Sequence, residues 1–504
     1  MNSAVRNVAI VGGGPVAWIA AAALKRAFRH RELEVVVVDC GNSHDAPVGR
    51  WTLPSQRGMH ALIGIKEVDF LRRTGATFKL ATEHHGWHGA GSRFMHPHGD
   101  IGWKLGATPF YKYLLIQQLG GHDENPEDYS LAAIAARLGR FARPMGEDNE
   151  LTSSFTYAFH LDEAAYTAYL QEHAMALGVR RVPGSLADVA LSPIGNVTAV
   201  NLVGGEQIGG DLFLDCSGSD AVLMGRVSRG ARDDWSATLP CDRMWSVRAG
   251  AVDNPPAMTL TTATTAGWLW RSPLADSTMV GHVFSSAHMS EDEAFAQLQQ
   301  TASDLAGKSL LNRFMSGRRR LFWERNCVAL GTAAVELEPL AGADLHLAQL
   351  GIGTLIELFP IAAESSIEAS EYNRVMGEQA DAVRDFTLAH YRVGSVPVGE
   401  FWSALRSTPL PQRLAEKFEL YCANARIGLL DFEPFEEVDW AWLLLGAEVL
   451  PDAVELQVRT QLEAVTPEQL APVRTHLERL AASMPRHIDY VRGQGPQKSH
   501  AAKS

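Results

Sequence analysis

The N-terminal segment 7–39 restricts the fold more than any other part of the chain. Asn7-Val8-Ala9-Ile10-Val11 is an apolar run of the kind buried on both faces of a parallel sheet. It passes directly into Gly12-Gly13-Gly14-Pro15-Val16-Ala17 and then into an alanine-rich helix through Trp18 and Leu24. Gly12 permits the tight turn, Gly14 lets the backbone approach a pyrophosphate, and Ala17 is small where helix and strand touch. A phosphate would rest on the helix N-terminus. A second strand, from Leu33 to Val38, ends at Asp39, 22 positions after Ala17, where a carboxylate can bind ribose hydroxyls. A glycine fingerprint alone is a weak signal. Strand, turn, helix, strand and terminal acid in this order predict a nucleotide-binding βαβ unit, with Gly12, Gly14, Pro15, Ala17 and Asp39 as its cofactor-binding positions.

The rest of the chain narrows the class. With 504 residues, 46% hydrophobic and 20% charged, it can bury a large core in two packed domains. A net charge of −13 argues against nucleic acid as a partner, and the short run Arg318-Arg319-Arg320 does not alter that. Cys40, Cys216, Cys241, Cys327 and Cys422 are scattered without a CxxC pair, so neither a disulfide framework nor a zinc site is expected. No leader and no window of ~18 apolar residues stands out, which predicts a cytoplasmic protein without a membrane span. His84, His85, His88, His96 and His98 are interleaved with Gly86, Gly89, Gly91 and Pro97 and read as a loop of solvated or hydrogen-bonded histidines; no metal is expected.

The βαβ unit presents the same ADP site to a nicotinamide or a flavin. Two later strand-to-turn segments choose between them: Leu212 to Asp215 running into Cys216-Ser217-Gly218, and Asn326 to Leu330 running into Gly331. With the N-terminal unit they resemble an FAD-binding Rossmann-like domain of the flavoprotein monooxygenase type, an α/β (α+β) fold. Asp215, Gly331, and Gly49 after the second strand, are further candidate cofactor contacts. A helix over 347–359 is expected to aim its N-terminal amides, near Leu345, toward the flavin.

Further strings make the resemblance specific. Thr77-Phe78-Lys79, Trp268-Leu269-Trp270-Arg271-Ser272-Pro273, the lead-in Gly317-Arg318-Arg319 to Asn326, Leu337-Glu338-Pro339-Leu340 and Leu355-Ile356-Glu357-Leu358-Phe359-Pro360 follow in order. Together they resemble the flavin-dependent halogenases of the tryptophan halogenase family over nearly the whole length, as a divergent member. Phe159-His160-Leu161-Asp162 and Leu239 to Arg243 resemble further landmarks of less defined role. The resemblance implies FADH₂ delivered by a separate flavin reductase, O₂, and chloride or bromide, which give hypohalous acid. It implies Lys79 as the catalytic residue that receives or orients that acid, as a donating ammonium or as a neutral amine forming a chloramine. The substrate would be a small electron-rich aromatic such as an indole or a tryptophan-like compound, at a tunnel lined by Trp268, Trp270, Pro273, Glu338 and Pro339. A homodimer is one assembly open to such a chain.

Five positions depart from the family pattern. Ala341 stands where a catalytic glutamate follows the Pro-Leu pair, and Ala343 and Asp344 stand where backbone amides hold the halide. A carboxylate ~4 Å from a chloride repels it by about 1 kcal/mol in water and several times more at lower dielectric. Arg50 replaces an acid in the loop after the second strand, and Ser272 replaces an isoleucine. An unpaired buried hydroxyl costs roughly 1–3 kcal/mol, so Ser272 is expected to be hydrogen-bonded or wet. These departures keep open a flavin-dependent monooxygenase and a non-catalytic FAD-binding member. The expected organisation is a discontinuous FAD module over 1–375, with substrate-side insertions at about 81–150 and 226–309, a helical cap over 376–488 and a disordered tail over 489–504.

Overall fold

The computed structural model describes residues 5–41, 49–144, 154–228, 232–302, 304–361, 366–395, 397–462 and 466–493. The chain divides into two compact units. The first comprises Met1–Thr74, Leu161–Met244 and Lys308–Arg384, and the second Gly75–His160, Trp245–Gly307 and Asp385–Ser504. The expected insertion at about 81–150 and the 245–307 part of the one at 226–309 fall in the same unit as the C-terminal helices, whereas 226–244 falls in the first, and the boundaries lie at 74/75, 160/161, 244/245, 307/308 and 384/385.

The first unit is built on a six-stranded sheet in the order Trp323–Glu324, Cys327–Ala329, Leu212–Asp215, Asn7–Val11, Glu34–Asp39 and Arg180–Pro183. All neighbours are parallel except the short edge strand Trp323–Glu324. Val8, Ala9, Ile10 and Val11 are almost completely buried, as expected of a central parallel strand covered on both faces. Helix Pro15–Ala27 makes the crossover and buries Ala17 to Leu24 against helices Glu163–Ala176 and Asp344–Glu357. Gly12 is required at φ +142°, because a Cβ there would collide with the Cys216 carbonyl. The Rossmann-like α/β class read from the sequence is the fold observed.

In the second unit, Met258–Thr264, Gly267–Pro273 and Thr278–Phe284 form an antiparallel ladder. Ala81–His85 joins it parallel to Met258–Thr264, and Arg93–Pro97 returns antiparallel to Ala81–His85. The histidine-rich segment is therefore a hairpin and not an irregular loop: the glycines at 86, 89 and 91, all at positive φ, close its turn and leave the flanking histidines on strands. The helical segment holds Glu400–Ser407, Gln412–Asn424, Glu437–Gly446 and Pro467–Ser483, with Phe401, Trp402, Trp440 and Trp442 fully buried. Helix His487–Val491 carries regular structure past the start of the expected tail, since His487 is buried and anchors it; residues 494–504 lie outside the described residues. Among the described residues, no helix is long and apolar enough to cross a membrane.

Candidate functional site

The first unit contains a cavity of about 670 Å³ at the carboxyl ends of its parallel strands, within the size range of ligand sites. Gly12, Gly13, Gly14, Pro15, Gly49, Gly331 and Leu345 line it. The Pro15–Ala27 helix opens there with no side-chain cap and no acid in its first turn, so its N-terminal amides favour an anion. Bare amides, glycines that admit no Cβ and the cavity fit the pyrophosphate of a dinucleotide.

Other expected contacts have partners within the fold. Asp39 ends its strand, but its Oδ2 accepts from Arg181 Nε at 2.8 Å and Oδ1 from the Gly41 amide at 3.0 Å; the wall beside it is Cys40 and Gly41. Asp215 is fully buried. Its oxygens accept from the Ser217 amide and hydroxyl and from the amides of Leu223 and Met224, and burial pushes its carboxyl up despite those bonds. Ala17 is a packing residue, completely buried. Glu338 is buried, while Pro339 next to it stands in the cavity wall.

Arg50 and Asp344, both in that wall, meet as an ion pair, and Arg50 also pairs with Glu163. The contact has a local cause. Gly342, at φ +63°, has no room for a Cβ, since one would sit 2.6 Å from Trp51 Cδ1. That close approach lays strand Gly49–Trp51 across the start of helix Asp344–Glu357. The helix begins at Asp344, three residues before the expected start, with Ala343 as its N-cap and the carboxylate in its first turn. The repulsion anticipated from Asp344 is thereby balanced by Arg50, and two of the five departures compensate each other. Glu163, the third member, was missed; its only signal was its place after Phe159-His160-Leu161-Asp162.

In the second unit, Lys79 lies on strand Thr77–Lys79 and is 1% exposed. Burial lowers its ammonium to about 7, against a smaller opposing pull from Asp439. Its Nζ is 2.8 Å from His98 Nε2. Thr77 Oγ1 donates to the Pro273 carbonyl at 2.6 Å and lies 3.0 Å from His160 Nδ1, so the Thr-Phe-Lys and Trp-x-Trp strings are physically joined. Trp268 and Trp270 share one face of their strand but are 0% and 1% exposed. Trp268 packs on Trp87, which also meets Tyr391 and Trp402, and the Trp270 ring lies over Gly281. Neither indole faces open space, so the pair forms core and not the expected tunnel wall. Ser272 is fully buried, and its hydroxyl meets no protein partner among the described residues. No cluster of metal-ligating side chains occurs among the described residues. His98 was missed as a site residue; the signal available was a second histidine across Pro97 from His96.

The fold and cavity define a Rossmann-like α/β protein with a site of nucleotide dimensions. The sequence pattern of the tryptophan halogenases matches residues 7–462, and the chain belongs to that family. Tryptophan 7-halogenase KtzQ of Kutzneria sp. (strain 744) is 28% identical over 97% of this chain and 98% of its own length. Among solved structures, BrvH, a flavin-dependent halogenase from Brevundimonas sp. BAL3, shares 33% identity with a TM-score of 0.91, covering 98% of this chain and 99% of that one. Xcc4156, a flavin-dependent halogenase from Xanthomonas campestris, superposes with the same TM-score at 31% identity over the same shares.

Proposed function

We propose that the chain halogenates an electron-rich aromatic, an indole or a tryptophan-like compound, with Lys79 as its catalytic residue. Reduced FAD, supplied by a separate reductase, would provide with O₂ and chloride or bromide the hypohalous acid that the reaction consumes. Gly12, Gly13 and the amides opening helix Pro15–Ala27 would hold its pyrophosphate. The observation that carries the reading is a completely buried lysine lowered to about 7 in a chain of this family. Held near neutrality, the Lys79 ammonium can donate to the oxygen of the acid and polarise its halogen. A surface lysine at its ordinary value would gain no such leverage from a dry environment.

Because the ammonium form does this work, turnover should fall as pH rises through about 7. A pH–rate profile checks this, and a rate that rises over that range assigns the work to the neutral amine. Ala341 favours a second reading, since it leaves no carboxylate to take the arene proton at that position. A flavin-dependent monooxygenase would then remain. Reduced FAD, O₂ and chloride or bromide tested against an indole panel separates the readings. Halogenated product that disappears in Lys79→Met supports the proposal; hydroxylated product supports the second reading; peroxide release alone points to a non-catalytic FAD binder.

A further inference from the structure

The buried amine of Lys79 meets an imidazole. Among the described residues, His98 is the group hydrogen-bonded to Nζ, at 2.8 Å, and it is itself 7% exposed against 1% for Lys79. The backbone fixes His98 on both sides: its amide donates to the Leu80 carbonyl at 2.7 Å, and its carbonyl accepts from the Thr156 amide at 2.9 Å. Gly99, at φ +148°, follows directly, where a Cβ would meet the Ser154 carbonyl and the Phe155 backbone at 2.7 Å. The backbone that carries the imidazole is therefore held beside Leu80, the residue that follows Lys79.

The other titratable groups facing this pair are already engaged. His160 uses both ring nitrogens, on Thr77 and Thr259, and His84 Nδ1 meets Thr261 Oγ1 at 2.9 Å. On helix Glu437–Gly446, Asp439 pairs with His96 Nε2 at 3.2 Å and acts on Lys79 from farther away. Burial, with Lys79 close by, holds His98 well below its ordinary value, so its imidazole is neutral around neutral pH. A neutral acceptor stabilises an ammonium by hydrogen bonding without adding a repelling charge.

We infer that His98 is the positioning residue of Lys79: its imidazole fixes where the amine points and favours the charged form. The inference rests on the assignment of Lys79 to oxidant transfer, but its test does not depend on turnover. In protein labelled with ¹³C-lysine, the Lys79 Cε resonance, identified by its loss in Lys79→Arg, reports the charge of the amine directly. The unsubstituted protein is expected to titrate near pH 7. In His98→Phe the midpoint should fall by about one pH unit or more, and in His98→Gln, whose amide oxygen can accept, it should return close to its original position. The pH limb of halogenation should move with it.

An unchanged midpoint in His98→Phe overturns the inference. A displaced midpoint in a protein that never halogenates any arene supports the pairing and removes the halogenase reading instead. Should His98→Phe fail to fold, the contact is read from the other side in ¹⁵N-histidine-labelled protein. Lys79→Met should then move the His98 ring-nitrogen resonances, and static resonances overturn the inference.

Discussion

Ser272 shows how much a single atom can matter in this interior. It sits in strand Gly267–Pro273 between the buried Trp270 and Pro273, and its hydroxyl meets no partner among the described residues. Among its polar neighbours, Thr77 bonds the Pro273 carbonyl and His160 bonds Thr259. Removing the hydroxyl deletes a desolvated donor and little volume, so Ser272→Ala is expected to leave the fold intact and stabilise it by roughly 1 kcal/mol. Denaturant unfolding of the two proteins measures this. A loss of more than 1 kcal/mol would show that the hydroxyl is bonded after all.

At the scale of elements, the βαβ unit was readable because every signal in it is local: apolar strand, glycine turn and helix lie within 33 positions. Lys79 and the Trp-x-Trp string were readable as strings, but their surroundings were not. Whether two tryptophans wall a tunnel or fill a core depends on Trp87 and Trp402, which are remote in sequence. The same holds for Arg50 and Asp344, each of which looked like an isolated change of charge until the Trp51–Gly342 contact brought strand and helix together. Their coupling is measurable. Arg50→Met leaves the Glu163 and Asp344 carboxylates without their shared partner and should destabilise the first unit by about 1–3 kcal/mol. Asp344→Asn should cost less, because Arg50 keeps Glu163. The double variant should recover about 1 kcal/mol relative to the sum of the singles. Strict additivity in unfolding experiments would show that the ion pair contributes nothing.

Across the whole molecule, buried imidazoles are unevenly shared. The first unit holds His60, lowered by burial to about 3. The second holds His282 and His487, lowered to about 4, His390, lowered to about 3, and His84, His98 and His160, held well below their ordinary value, all chiefly by desolvation. The unfolded chain protonates each of them near pH 6.5, whereas the folded chain resists well below that, to about pH 4 for His282 and His487 and about pH 3 for His60 and His390. Their stabilising contribution is thus complete above pH 6.5 and is lost as pH falls from there toward 4. At pH 5 a histidine so placed costs about 2 kcal/mol of stability relative to neutral pH. Several in one unit approach the whole net stability of a folded domain, about 5–15 kcal/mol. Acidification from pH 7 to 5 should therefore open the second unit before the first. Hydrogen exchange corrected for its intrinsic pH dependence should show protection lost first in the 258–264, 267–273 and 278–284 ladder, while the strands 7–11 and 212–215 remain protected. Simultaneous loss in both would mean that something other than the buried histidines governs the acid limit, and earlier loss in the first unit would contradict their uneven placement outright.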